Sequence, residues 1–158
     1  MKNIFLFFIC LFLGGCGFFC DSKGTVTFNV DKSFKHPLQE LSVYFGSEKY
    51  APMEVNLKPG ESSSAMFCPT SIDSHLDFQF DIGDIRYYWE SWASNLFGET
   101  TYANKFFKQH KRYEIIIDLK ADHTFFIRVY QRDGLFSKKL IVQGHDKMYS
   151  MPLEYPNE

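Results

Sequence analysis

From residue 25 onward, apolar and polar positions alternate with a period of two, the spacing that puts one set of side chains on each side of a β-strand. Val26, Phe28 and Val30 alternate with Thr25, Thr27 and Asn29. Leu41, Val43 and Phe45 form a second run, and Met53, Val55 and Leu57 a third. Leu76, Phe78, Phe80 and Ile82, set between Asp77, Gln79 and Asp81, make the clearest half-buried strand. Further strands are predicted through Ala65 to Cys68, through Ile85, Tyr87 and Trp89, over Tyr113–Leu119 and Thr124–Gln131, and, more weakly, over Lys139–Gln143.

Pro59-Gly60, Gly83-Asp84 and Arg132-Asp133-Gly134 punctuate these runs with turn chemistry: proline presets φ and glycine accepts a positive one. Eight or nine short strands with no βα alternation predict an all-β domain. We expect an antiparallel β-sandwich, immunoglobulin-like or transthyretin-like in general architecture, with a closed barrel as the competing arrangement.

The N-terminus follows a different pattern. Lys2 precedes an unbroken apolar run from Ile4 to Leu13. Ten helical residues cover roughly 15 Å, about half of a bilayer core. That is too short to span a membrane and suits the apolar region of a secretory signal. The run ends in Leu13-Gly14-Gly15-Cys16, which resembles the bacterial lipobox. Cys20, preceded by Phe18 and Phe19, does not fit that cleavage site.

The resemblance covers the first sixteen residues. It implies a signal peptide over 1–15, removed to leave a diacylglycerol-modified Cys16, a short tether over 16–24 and a single domain over 25–158 anchored in a lipid bilayer. Gly17, rather than aspartate, after the cysteine implies the outer membrane by resemblance to enterobacterial sorting. Of the four cysteines, Cys10 would then leave with the signal and Cys16 would carry lipid. Cys20 and Cys68 remain. In an oxidising compartment they read either as one disulfide or as two independent thiols. A disulfide closing a loop of about fifty residues would contribute roughly 4 kcal/mol in the chain-entropy account.

Residues 90–112 break the alternation. Trp92, Phe97, Tyr102, Phe106 and Phe107 are bulky, and Lys105, Lys108, Lys111 and Arg112 make the end basic. A long connection with one short helix near Tyr102–His110 is expected, of the kind that carries function in compact β-domains. Its aromatic and basic residues would suit an anionic headgroup or an acidic partner, or would plug the core. Trp89, Trp92, Phe97, Tyr102, Lys105, Phe106 and Lys108 are therefore the candidate partner-binding residues. Trp89 and Trp92 stand three apart in a strand, so one of them is expected to face outward. Aromatics make up 18% of the chain, enough to furnish both a core and a contact surface.

A formal net charge of −2 rules out bulk positive charge as a route to nucleic acid. The five histidines show no metal-ligand spacing, the serines sit in no nucleophile elbow, and no glycine-rich phosphate loop occurs. Asp77 and Asp81 share a strand face about 13 Å apart, too far for a paired acid and base, and are expected on a solvated outer surface. No cofactor, metal or enzymatic activity is expected. The sequence thus predicts an outer-membrane lipoprotein acting as a protein-binding or envelope-assembly module. The alternative is a periplasmic inhibitor or toxin-immunity protein that blocks an enzyme cleft.

Overall fold

The computed structural model describes residues 23–45, 48–67, 76–90, 111–134 and 137–153, with the side chains of Lys23 and residues 48–55 left out. Among them are ten strands: β1 (Lys23–Val30), β2 (Leu38–Phe45), β3 (Glu48–Leu57), β4 (Ser62–Phe67), β5 (Leu76–Ile82), β6 (Ile85–Glu90), β7 (Arg112–Leu119), β8 (Thr124–Arg132), β9 (Lys138–Lys147) and β10 (Tyr149–Pro152). They form two five-stranded sheets, ordered β4-β1-β7-β8-β9 and β10-β6-β5-β2-β3. The domain is all-β and sandwich-like.

Alternation decides which side chains meet between the sheets. Val26 and Phe28, Ile115 and Ile117, and Phe125, Ile127 and Val129 point inward from the first sheet, and Leu41, Val43, Leu76, Phe78, Phe80 and Trp89 from the second. Four rings lock the layers together. Phe78 meets Phe28 and Phe125 edge-on at 5.2 Å, and Trp89 meets Phe125 at 5.1 Å. Each such pair adds about 1 kcal/mol beyond the area it buries.

One pairing departs from the antiparallel expectation. β1 and β7 lie side by side in parallel, Val26 opposite Ile115 and Phe28 opposite Ile117. Between them the chain makes four strands of the second sheet, β2, β3, β5 and β6, and β4 of the first, so the pairing is invisible to any local pattern. β9 is longer than expected, and β10 was not anticipated. Both are edge strands with few inward side chains: of β9 only Val142 is buried, and β10 is exposed throughout. Pro152 ends β10 on the open edge, where the missing amide donor does no harm.

The topology also defines two ends. β1 and β7 begin, and β4 and β8 finish, at one end, where Lys23 is opposite Arg112, Gly24 opposite Phe67, and Arg112 opposite Arg132. We call this the near end. The chain enters the domain there, leaves β6 at Glu90 and re-enters β7 at Arg112. At the far end the β7–β8 hairpin closes through His123, whose φ of +62° is the left-handed residue of its turn and whose ring stacks on Tyr87 at 4.2 Å.

Candidate functional site

The outer side of the second sheet carries a shallow trough of about 430 Å³, lined by Tyr44, Asp77, Gln79, Tyr88, Glu90 and Met151. Strand register builds it. Tyr44 is opposite Asp77, which is opposite Glu90 on its other side, and Gln79 is opposite Tyr88. Tyr88 is in turn opposite Tyr149, with the two ring centres 5.7 Å apart. Tyr149 and Met151 are 49% and 45% exposed, which places bare apolar surface on the trough's β10 side.

Two carboxylates directly opposite one another raise the negative potential locally, since like charges in a cross-strand pair repel. Asp81 lies farther along the same face. It is buried rather than solvated, a correction to the sequence expectation: Arg86 sits opposite it and donates from Nε to Oδ1 at 2.8 Å and from Nη2 to Oδ2 at 2.9 Å. The bond to Asp81, offset in part by burial, raises the Arg86 pKa further above its ordinary value, with Glu40 adding to the effect. The trough is therefore aromatic and acidic, with hydrogen-bonding groups at its base.

The outer side of the first sheet is different in kind. A depression of about 290 Å³ there touches Asn29, Asp31, Asp118, Lys120, Phe126 and His145. Its two carboxylates, Asp31 and Asp118, are both paired. Ser62 Oγ donates to Asn29 Oδ1 at 2.7 Å, Asn29 Nδ2 donates to Asp118 Oδ1 at 2.6 Å, and Asp118 also accepts from Arg128. Lys120 holds Asp31 at 2.9 Å, keeping that carboxyl far below the usual range. We read this row as structural. Toward the near end the same face turns basic, with Arg112, Arg132 and Lys138 opposite one another on three adjacent strands.

Of the residues singled out from sequence, Trp89 is described, and it is corrected. Its side chain is 1% exposed and Nε1 donates to Asp146 Oδ2 at 2.9 Å, tying β6 of one sheet to β9 of the other. It is in phase with Tyr87 on the inner side of β6, so it offers a partner no surface. Cys16, Cys20, Cys68, Trp92, Phe97, Tyr102, Lys105, Phe106 and Lys108, and the helix expected near Tyr102–His110, lie outside the described residues.

Sequence reasoning passed over Tyr44, Tyr88 and Tyr149. A usable signal was present for the first two: each is an aromatic in the polar phase of its strand, between inward neighbours. Among the described residues no group of three or more His, Cys, Asp or Glu could hold a metal ion. Comparison of the chain with protein families, with curated proteins and with solved structures finds no match.

Proposed function

We propose that the chain is a lipid-anchored lipoprotein of the bacterial outer membrane whose domain, an immunoglobulin-like or transthyretin-like sandwich, acts as a non-catalytic binding module. Its partner is another envelope protein. The observation that carries the reading is the trough on the second sheet: adjacent tyrosines and an exposed methionine beside the facing carboxylates of Asp77 and Glu90. Tyrosine and methionine are enriched at interfaces, and the carboxylates select a contact surface that brings lysine or arginine. An acidic, aromatic trough also suits a cationic hydrolase, which favours the inhibitor or immunity reading as the second candidate.

The test is cross-linked capture of the acylated protein from its own envelope, run beside Tyr88→Ala and Glu90→Arg. A stoichiometric envelope protein, captured by the native chain and lost with both substitutions, is the expected result. A secreted hydrolase or toxin lost in the same way would replace the first reading with the second. Capture that survives both substitutions would refute the trough as the working surface. Cys16→Ser, which removes the acyl site, is expected to abolish membrane fractionation; retention on the membrane would refute the anchor.

A further inference from the structure

The near end of the first sheet collects more cations than the carboxylates beside them can pair. Arg112, Arg132 and Lys138 form one row across β7, β8 and β9, and the exposed Lys111 and Lys139 flank it. Two carboxylates lie among these five cations. Glu114 pairs with Arg132 at 2.6 Å and with Lys138 at 3.5 Å, and Asp133 pairs with Lys111 at 3.4 Å. Arg112 and Lys139 are in no ion pair among the described residues. Arg112 directly opposite Arg132 sets like charges across adjacent strands, a repulsion that the pairing of Arg132 with Glu114 offsets in part. The next row inward is mixed: across the sheet it runs Met66, Thr25, Glu114, Tyr130 and Leu140, with Tyr130 beneath Lys138 Nζ at 4.4 Å, Leu140 40% exposed and Met66 82% exposed.

Chain geometry says what this rim faces. Lys23 is opposite Arg112 in the parallel pair, so the tether reaches the domain at the cationic row itself. Seven residue steps lead from Cys16 to Lys23, and even fully extended they reach at most about 25 Å. A bilayer holding Cys16 is therefore always within about 25 Å of where the tether joins the rim, and a slack tether brings the two closer. A row of lysine and arginine, with leucine and methionine exposed and tyrosine half-buried in the row beside it, can settle at an anionic lipid–water interface.

We propose that this rim, comprising Lys111, Arg112, Arg132, Lys138 and Lys139, is the surface on which the domain rests against anionic phospholipid. The contact fixes the domain's orientation, and the acidic trough opens on the opposite sheet face. The inference rests on the lipid-anchor reading for its delivery to the membrane, but the charge row and the half-buried Tyr130 and exposed Leu140 and Met66 beside it do not depend on it.

Amine footprinting tests it. The mature protein would be mixed with vesicles of phosphatidylcholine alone and with vesicles containing phosphatidylglycerol, then acetylated briefly and mapped by mass spectrometry. Lys111, Lys138 and Lys139 are expected to react about five-fold more slowly on the anionic vesicles, the factor per cation near such a surface. Lys32 and Lys58, on exposed turns at the far end, should be unchanged. At 0.5 M salt, where the screening length is about 4 Å, the protection should vanish. Arg112→Glu with Lys139→Glu, neither of which breaks an ion pair, should remove it at low salt too.

Equal reactivity on both vesicles would overturn the proposal, as would protection that ignores salt. The intact mass of the same sample reads the anchor separately. An acylated protein without protection refutes the rim alone, and protection without acylation refutes the anchor alone.

Discussion

Trp89→Phe separates a core tryptophan from a contact tryptophan. The substitution keeps an aromatic ring in the cluster with Phe78 and Phe125 but deletes the indole N–H that donates to Asp146 Oδ2 at 2.9 Å. A hydrogen bond to a charged acceptor contributes about 1.5–3 kcal/mol. The smaller ring leaves a cavity whose cost, at about 24 cal/mol per Å³, is roughly 1 kcal/mol. The expected loss is about 3 kcal/mol, which for a domain of this size lowers Tm by about 10 °C. Thermal unfolding followed by circular dichroism reads the shift. A cycle with Asp146→Ala should return a coupling of at least about 1.5 kcal/mol, since the two side chains form one bond between the sheets. Partner capture, measured well below the transition, should be unchanged. A Tm within 2 °C of the native value, or capture lost at an unchanged Tm, would refute the placement of Trp89 in the core.

Gly24→Ala should cost about 1–3 kcal/mol in urea unfolding, because a Cβ there would sit 2.2 Å from the Phe67 ring and 2.7 Å from the Tyr113 carbonyl oxygen. Phe67→Leu in the same chain should recover only part of the loss, as the carbonyl belongs to the backbone; a neutral Gly24→Ala would contradict the close approach of β1 to its neighbours. Glu114 should make stability fall as pH drops below about 4.5, the ordinary glutamate value. Burial pushes the Glu114 carboxyl up, but the Arg132 hydrogen bond and the Lys138 charge hold it below that value, so the folded state binds fewer protons than the unfolded chain. The stability it supplies is present above pH 4.5 and is lost as pH drops through its folded value; Glu114→Gln should flatten that limb of a Tm-against-pH curve, and an unchanged limb would count against the pairing. Non-reducing mass analysis of the mature protein should find Cys20 joined to Cys68, and two alkylatable thiols would refute the bond.

The two outer faces of the domain carry opposite chemistry. Facing acids lie on the second sheet at Asp77 and Glu90, and facing bases on the first at Arg112 and Arg132. Like charges opposite one another repel across adjacent strands, and on the first sheet Glu114 offsets this by pairing with Arg132. The membrane and partner readings assign one face to each.

Local chemistry was enough for a good deal of this. Period-two alternation identified Val26, Phe28 and Val30 as one inward row, and Leu76, Phe78 and Phe80 as another, because a strand's pleat alone decides which side chains share a face. The turns at Gly60 and Gly83, with φ of +83° and +57°, were legible for the same local reason. Alternation is silent about which strand lies beside which. Opposition of Asp77 to Glu90, of Arg112 to Arg132 and of Asp81 to Arg86 arises from register between strands. For the parallel neighbours β1 and β7 the pairing brings together residues as far apart as Lys23 and Arg112. Edge strands such as β10 escape too, because a segment exposed on both sides has no buried phase to read. The inward rows of the core were therefore written in the sequence, while the trough and the cationic rim exist only once long-range pairing has set the strands side by side.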